Sequence, residues 1–412
     1  MNKMKKLGFS KSALVAAVLF VTAATASSAQ TFKTVVNFDG TNGAGPSGLA
    51  EGRDGNLYGA ASGGGQYGHG LLFKLTPSGT LTSLYNFCPE SGCPDGSGPV
   101  GLLPATNGKF YGSTFGGGSF GYGTVFEFTG EGAPTTLHSF DDTDGTGFIY
   151  LMQGSGGFIY GMASYGGNLA ECFAPGCGTV FKIALNGNQF SLLYTFCSEM
   201  TDCPDGAIPY DALAQGTNGD YYGATWGGGG RSDGGTLFRM TPNGEFRTIY
   251  RFCDDYPFCS DGSNPLSVVL GTDGNFYGAT NNGGKNAGTV FTIAPAGTPS
   301  TLYSFCTQIG CTDGSTPQSG PILGSDGNFY GTTYFGGTNN EGTVYRITAA
   351  GGLTTLHSFD GADGYYPIAG LFQASNGVFY GTTSGGDGTI FSLDVGLSPL
   401  TKTAPPDKSP AP

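Results

Sequence analysis

The sequence predicts an all-β fold, a seven-bladed β-propeller whose blades are four-stranded antiparallel sheets. The first observation behind this is composition: of 412 residues, 77 are Gly and 13% are aromatic, whereas only 11% are charged. So many aromatic residues argue against disorder, and abundant Thr, Val, Phe and Tyr favour strands over helices. The second observation is a unit that recurs seven times, and the third is how the two ends of the chain share one unit.

Each unit contains three short recurring elements. A Tyr-Gly step is followed by Gly-(Thr/Leu)-(Val/Leu/Ile)-(Phe/Tyr) and then by a segment of the form (Leu/Ile/Val)-x-x-Phe. Repeats of this length, with turn residues between short apolar runs, are typical of propeller blades. The Tyr-Gly steps, which are 49 to 62 residues apart, begin at Tyr58, Tyr111, Tyr160, Tyr222, Tyr277, Tyr330 and Tyr380.

The fifth unit illustrates the four predicted strands. Leu266–Leu270 is an apolar run, and Asp273-Gly274-Asn275 is a tight hairpin turn before the second strand, Phe276–Thr280. After a Gly-rich loop, Gly288–Ile293 and Ser300–Phe305 are the third and fourth strands. The third strand is apolar on both faces, as expected of a sheet that packs between two others.

The ends of the chain predict a closed ring. The first unit begins with a strand of the fourth type, Thr34–Phe38. The last unit has only strands one to three, at Ile368–Phe372, Val378–Thr382 and Gly388–Leu393. The N-terminal strand can therefore complete the last sheet, which removes an exposed edge. We expect the propeller to occupy residues 30–397.

Two flanking segments are expected to lie outside the propeller. Residues 1–29 have the features of a secretory signal peptide, because a Lys-rich start precedes a short apolar run and Ser27-Ser28-Ala29 supplies small residues at the cleavage site. The protein is thus expected to be secreted or at the cell surface, with no membrane span after cleavage. Residues 398–412 are rich in Pro and predict a disordered tail.

The ten cysteines form five close pairs. Export favours local disulfides over reactive thiols. A zinc site would need CxxC pairs or His partners, and the chain has only three His residues. The predicted disulfides are Cys88–Cys93, Cys172–Cys177, Cys197–Cys203, Cys253–Cys259 and Cys306–Cys311.

One longer pattern within the repeats resembles a known family. Asp-Gly-Asn-Phe-Tyr-Gly-x-Thr, followed by Gly-Thr-Val-(Phe/Tyr)-x-Ile, is clearest in Asp273–Thr301 and Asp326–Thr355. It resembles the tandem repeat of the choice-of-anchor GloVer family, named for gloeobacterial and verrucomicrobial proteins, over nearly the whole mature chain. The resemblance implies a secreted or surface-displayed β-propeller.

The loops of the units fall into two classes. Turns between strands one and two, and between strands three and four, are short. The loops that join strand two to strand three, and each blade to the next, are longer and share the opposite face, which we call the long-loop face. Binding groups tend to lie on variable loops, and aromatic side chains there could stack on sugar rings or simply pack between blades. The candidate ligand-binding residues are Tyr67, His69, Phe120, Tyr122, Tyr165, Trp226, Arg231, Asp233 and Tyr334.

Acidic residues recur in the loops that join successive blades. A ring of carboxylates that binds cations is one interpretation, and an Asx turn that caps its own backbone is the other. Asp142 and Asp144 are weak calcium candidates, since the downstream Glu of a calcium loop is missing. No other cofactor is expected. The recurring residues are Asn42, Asp95, Asp144, Asp205, Asp261, Asp313 and Asp363.

The predicted function is binding rather than catalysis. A net charge of −13 argues against a nucleic-acid partner. No His-based triad or nucleophile elbow is found, so no catalytic residue is assigned. We expect a secreted, monomeric binding or adhesion protein that holds a glycan or an extracellular protein on the long-loop face. The alternatives are a polysaccharide hydrolase or lyase that uses loop carboxylates, and a passive structural protein of the cell envelope.

Overall fold

Seven antiparallel sheets form a propeller ring in the computed structural model. The structure describes residues 30–167, 172, 176–197, 202–295 and 297–400. The predicted signal peptide, residues 1–29, and positions 401–412 of the predicted tail lie outside the described residues. The described part of the chain contains no helix long and apolar enough to cross a bilayer.

Each blade of the ring is one sheet, numbered here from the first complete sheet of the chain. Blade 1 comprises β2 (Ala44–Glu51), β3 (Leu57–Gly63), β4 (Leu71–Leu75) and β5 (Leu81–Asn86). Blade 2 comprises β6 (Ser97–Pro104), β7 (Phe110–Gly116), β8 (Thr124–Phe128) and β9 (Thr135–Ser139). Blade 3 comprises β10 (Thr146–Gln153), β11 (Phe158–Tyr165), β12 (Thr179–Ala184) and β13 (Phe190–Thr195).

The remaining blades follow the same strand order. Blade 4 comprises β14 (Ala207–Pro209), β15 (Ala214–Gln215), β16 (Tyr221–Gly227), β17 (Thr236–Met240) and β18 (Phe246–Arg251). Blade 5 comprises β19 (Ser263–Leu270), β20 (Phe276–Asn282), β21 (Thr289–Ile293) and β22 (Ser300–Ser304). Blade 6 comprises β23 (Ile322–Leu323), β24 (Phe329–Thr333), β25 (Thr343–Ile347) and β26 (Leu353–Ser358). Blade 7 comprises β27 (Phe372–Gln373), β28 (Phe379–Thr383), β29 (Thr389–Asp394) and β1 (Thr31–Asn37).

Ring closure occurs as the chain ends predict. β1 pairs antiparallel with β29, with Thr31 opposite Asp394 and Asn37 opposite Thr389. One residue further on, the Phe38 amide donates a 3.0 Å hydrogen bond to the Gly388 carbonyl. The first strand of the described chain therefore covers the edge that the last blade would otherwise expose.

The Tyr-Gly step and the following Gly-Thr-Val-Phe run are complementary halves of one contact. In blade 5, Gly278 lies opposite Phe291 on the neighbouring strand, and a Cβ on Gly278 would stand 2.5 Å from Phe291 Cζ. The buried phenyl ring therefore lies across the glycine, which only a residue without a side chain allows. The same cross-strand pair recurs as Gly59/Phe73, Gly112/Phe126, Gly161/Phe181, Gly223/Phe238 and Gly381/Phe391.

The core consists of seven apolar clusters between neighbouring blades. The Tyr277 ring stacks on Phe329 of the next blade, with 3.9 Å between ring centroids, and its hydroxyl donates to Asp273 in the turn of its own blade at 2.9 Å. Gly288 faces Pro317 of the next blade, 2.7 Å from where a Cβ would stand. Recurring residues thus hold each blade both to itself and to its neighbour.

The innermost strand is less regular than the repeats predict. In blade 7 the predicted strand Ile368–Phe372 is reduced to Phe372–Gln373, and blade 6 is similarly short. In blade 4 the inner strand is split, with Ile208 and Asp211 at left-handed φ values of 58° and 67°. Such values interrupt strand pairing. These three irregular segments face the centre of the ring and shape the cavity described below.

Candidate functional site

The inner edges of blades 1 to 4, 6 and 7 line a cavity of about 660 Å³. Phe115 and Phe148, which are 48% and 43% exposed, line it at the ends of their strands that lead to the long-loop face. On one side, β2 and β6 approach so closely that a Cβ on Gly48 would stand 3.2 Å from Gly101 Cα. The opposite side is formed by the irregular inner segments of blades 4, 6 and 7.

Four aromatic side chains follow one another along the cavity, and we call them the aromatic wall. Ring centroids are 5.2 Å apart between Phe115 and Phe148, 6.5 Å between Phe148 and Tyr150, and 5.7 Å between Tyr150 and Tyr210. The wall crosses from blade 2 through blade 3 to blade 4. It brings together residues that are up to 95 positions apart in the sequence.

Strand geometry explains how the wall is held. Phe148 and Tyr150 are two residues apart in β10, so they point to the same face, whereas Ile149 between them is buried. The Ser164 hydroxyl lies 3.1 Å from the carbonyl oxygens of both Phe148 and Pro209. This buried side chain therefore ties the backbone before Tyr150 to the backbone before Tyr210 and fixes the spacing of blades 3 and 4.

Asp211 brings a carboxylate to the end of the aromatic wall. It is enclosed by protein, with part of its surface facing the cavity. Burial raises the pKa of Asp211, and the Ser267 hydroxyl and the Ala212 amide, which donates a 2.7 Å hydrogen bond, act in the opposite direction. No Lys, Arg or His of the described residues forms an ion pair with this carboxylate.

Burial also affects the tyrosines beside Asp211. It raises the pKa of Tyr150 and of Tyr210, and the charge of Asp211 adds to the shift in both. Both hydroxyls therefore stay protonated at neutral pH and can donate hydrogen bonds. Tyr165, one of the predicted ligand-binding residues, is close enough to influence both groups.

Two serines that line the cavity have buried hydroxyl oxygens without a hydrogen-bond partner among the described residues. Ser319, which is only 3% exposed, lies in the irregular inner segment of blade 6, and Ser47 lies in β2. A buried polar atom without a partner is costly unless water or a ligand satisfies it. Gln318 lines the same region, so the cavity offers a small polar group opposite its apolar surface.

The recurring acidic residues of the blade-joining loops are engaged within their own loops. Asp261 accepts a 2.8 Å hydrogen bond from Tyr250 in strand four and a 3.2 Å bond from the Cys253 amide. Asp363 contacts His357 Nε2 at 2.7 Å and the Asp360 amide at 3.0 Å. The donors are strand-four side chains and amides that precede the carboxylate, so the contacts argue against a ring of free carboxylates and also differ from the predicted Asx turn, in which the amide two residues on would donate. Matching contacts are Tyr85–Asp95, His138–Asp144, Tyr194–Asp205 and Tyr303–Asp313.

The calcium hypothesis concerns the same type of loop. The Asp144 carboxylate contacts His138 at 2.7 Å and accepts a 3.0 Å hydrogen bond from the Asp141 amide. Asp142 precedes it with φ of 78°. Calcium binding at this loop stays a prediction.

The predicted ligand-binding residues lie in or next to several loops of the long-loop face, and none of them is among the described residues that line the central cavity. Tyr67, His69, Phe120 and Tyr122 are exposed on the loops after β3 and β7. The Trp226 carbonyl accepts a 2.8 Å hydrogen bond from Asn264 Nδ2.

The other members of that set lie on later loops or beside the cavity. Arg231 is exposed, 3.8 Å from Asp202, and Asp233 accepts a hydrogen bond from the Gly228 amide. Tyr334 stacks on Tyr366, with 4.7 Å between centroids. Tyr165 lies close enough to Tyr150 and Tyr210 of the aromatic wall to act on them electrostatically.

Sequence reasoning missed the residues that face the cavity: Phe148, Tyr150, Tyr210, Asp211 and Ser319. A signal for two of them exists in the repeat itself. Where blade 5 has Pro265-Leu266-Ser267 at the start of its inner strand, blade 4 has Pro209-Tyr210-Asp211. An acidic residue in an inner strand departs from the pattern of an apolar propeller core.

All five predicted disulfides are formed. Four of them close loops that join one blade to the next, whereas Cys172–Cys177 lies in the loop between β11 and β12. The Cys177 and Cys203 sulfur atoms are 3.9 Å apart, so two disulfides meet on the long-loop face. These bridges hold loops whose length would otherwise cost ordering entropy.

Sequence comparison identifies the family. The family model of the Gloeobacter/Verrucomicrobia repeat matches residues 20–208, 90–258 and 171–391. The chain belongs to this family. No curated protein sequence matches the chain.

Solved structures with the same fold place this Gloeobacter/Verrucomicrobia repeat protein among known propellers. Virginiamycin B lyase from Staphylococcus aureus, an inactive variant with quinupristin, has a TM-score of 0.60 at 14% identity, covering 88% of this chain and 99% of the lyase. The extracellular domain of BT4673 from B. thetaiotaomicron has a TM-score of 0.55 at 14% identity, covering 89% of this chain. The alignment spans 40% of that second protein's chain. At these identities the likeness shows the fold alone.

Proposed function

We propose that this Gloeobacter/Verrucomicrobia repeat protein is a secreted, non-catalytic binding protein that holds its ligand in the central cavity, reached from the long-loop face. The observation that carries the proposal is the cavity of about 660 Å³ with its aromatic wall. Ligand sites are typically concave, mostly apolar and supplied with a few polar groups. The ligand class is a glycan end or a segment of an extracellular protein.

An extracellular setting is supported by three features. Five disulfides are formed, which is typical of chains that fold in oxidising compartments. The first 29 residues have the composition of a signal peptide. The extracellular domain of BT4673 contains a propeller of the same fold.

The distribution of carboxylates supports binding over glycoside hydrolysis. Hydrolysis by the usual mechanisms needs two carboxyl groups about 5–10 Å apart across the bond that is cleaved. Asp211 is the only acidic residue among those that line the cavity in the described structure. The acidic residues of the blade-joining loops instead accept hydrogen bonds from their own loops.

A variant that fills the cavity tests the proposal. A Cβ on Gly370, which lines the cavity, would meet only the Ser319 side chain, at an ordinary 3.8 Å, so Gly370→Phe adds a ring there without a backbone clash. Ala350→Phe adds the same ring in an exposed turn on the opposite face and serves as control. Binding to oligosaccharide and peptide arrays is measured for the wild type and both variants.

We expect ligands of the wild type to be lost by Gly370→Phe and kept by Ala350→Phe. Absence of any ligand at high micromolar protein would overturn the proposal, as would equal binding by the filled variant. Release of reducing ends from a polysaccharide by the wild type would favour the hydrolase alternative instead.

A further inference from the structure

We propose that the cavity recognises an organic cation, a protonated amine or a quaternary ammonium group, which is held between the aromatic wall and Asp211. This inference rests on the proposed function and names the chemistry of the ligand. It follows from three properties of the cavity: an unpaired carboxylate, adjacent aromatic faces and a lining without basic residues.

The charge of the site is uncompensated. Asp211 receives hydrogen bonds but forms no ion pair with the described residues. No Lys, Arg or His is among the described residues that line the cavity. A largely buried carboxylate that lacks a counter-charge is costly even when it accepts hydrogen bonds, and a cationic ligand would lower that cost. The net charge of −13 also favours the approach of a cation.

The aromatic side chains next to Asp211 suit an organic cation better than an inorganic one. Tyr210 immediately precedes Asp211, and the rings of Tyr150 and Tyr210 are 5.7 Å apart. Aromatic faces attract ammonium groups within about 6 Å of the ring centroid. Calcium and magnesium instead require six or more oxygen ligands, which an apolar lining with one carboxylate does not supply.

The remaining surface of the cavity indicates a ligand larger than the charged group itself. Phe115 and Phe148 offer apolar contact toward the mouth. The Gln318 side chain, which also lines the cavity, can bind a polar atom elsewhere on the ligand. A cationic head with an apolar or ester-bearing body would engage all three types of surface. The burial that raises the pKa of Asp211 is consistent with a carboxylate that lacks its counter-charge.

Acetylcholine and its neutral carbon isostere, 3,3-dimethylbutyl acetate, test the inference, because they differ in charge and hardly in shape. Affinities are measured by calorimetry and by saturation-transfer NMR on the full secreted chain with its disulfides intact. We expect the cation to bind at least about tenfold more tightly than the isostere. Asp211→Asn is expected to lower the affinity for the cation about tenfold and to leave the isostere unchanged.

Two further variants keep the test independent of folding. Glu245→Gln removes one negative charge from an exposed turn remote from the cavity and is expected to have no effect on either probe. Tyr150→Leu removes one aromatic face and leaves Asp211 intact. It is expected to lower the affinity for acetylcholine more than the affinity for the isostere. Thermal unfolding of each variant shows whether it is folded at the temperature of the assay.

The outcomes separate this inference from the proposed function. Equal affinity for the two probes, or no binding of acetylcholine at tens of millimolar, would overturn the inference. So would a folded Asp211→Asn variant that retains full preference for the cation. In each case, array ligands whose binding is abolished by Gly370→Phe would still support a binding cavity. If the arrays also showed no such ligand, the proposed function would be overturned as well.

Discussion

The contact between Gly278 and Phe291 leads to the most direct prediction about the repeat. Replacing Gly278 with Ala places a Cβ 2.5 Å from Phe291 Cζ and 2.9 Å from the Ser267 carbonyl oxygen. Phe291 is fully buried, and the carbonyl belongs to the backbone of the adjoining inner strand. Neither atom can move away without disturbing the packing between blades.

The size of the effect follows from these distances. Overpacking of a core costs about 1–3 kcal/mol, and contact with both a buried ring and a carbonyl places this change near 3 kcal/mol. Ala has less conformational entropy than Gly in the unfolded chain, which offsets about 0.4–1 kcal/mol of this cost. We therefore expect a net loss of about 2 kcal/mol, which lowers Tm by about 2–3 °C in a propeller of this length.

Calorimetry and urea unfolding measure the effect, with Gly63→Ala as matched control. Gly63 also lies in the second strand of its blade, but a Cβ there would meet only Ala44, at 3.8 Å. The stability of the Gly63→Ala variant is therefore expected to equal that of the wild type or to be slightly higher. Phe291→Leu removes the tip of the ring. The double variant should lose at least about 0.5 kcal/mol less unfolding free energy than the sum of the losses in the two single variants.

Two results would refute this reasoning. One is a Gly278→Ala variant as stable as Gly63→Ala, which would mean that the ring does not lie across the glycine. The other is strict additivity with Phe291→Leu, which would place the cost of the alanine somewhere other than this contact.

Three further predictions concern pH, ring closure and the disulfides. Burial lowers the pKa of His357 below its ordinary 6.5, although Asp363 opposes the shift. As the pH falls, His357 is therefore protonated in the unfolded chain before it is protonated in the folded chain, and stability should fall as pH drops below about 6.5. His357→Tyr, which restores the tyrosine of other units, should flatten that decline in urea unfolding between pH 7.5 and 5.5, and an unchanged slope would contradict this. Removing residues 30–37 leaves β29 without its partner, so size-exclusion chromatography should show self-association through the open edge. An added peptide with the sequence of residues 30–37 should reverse this self-association. A truncated chain that is monomeric and has an unchanged Tm would argue against strand closure. Replacing Cys253 and Cys259 together by Ser should lower stability by about 2 kcal/mol while the far-UV circular dichroism stays the same, and loss of the β signal would show that the bridge holds more than its own loop.

The sequence by itself determined the blade number, the strand order, the family and the disulfide pairs. The strand order and the disulfide pairs depend on contacts between residues that are near one another in the chain. Gly278 and Phe291 are 13 residues apart, and Cys253 and Cys259 are six apart. Such pairs repeat with the unit, so seven copies reveal them. Closure of the ring is a long-range contact, but the incomplete last unit and the extra first strand together specify it.

The tertiary structure alone decided where the cavity lies and which side chains face it. The aromatic wall joins Phe115, Phe148, Tyr150 and Tyr210 from three blades, and no repeat pattern relates these positions. Asp211 enters the cavity because the inner strand of blade 4 is interrupted at a left-handed residue. Departures from the repeat, unlike the repeat itself, leave no periodic signal. Their effect depends on which departures from different blades meet at the centre of the ring, and only the folded chain brings them together.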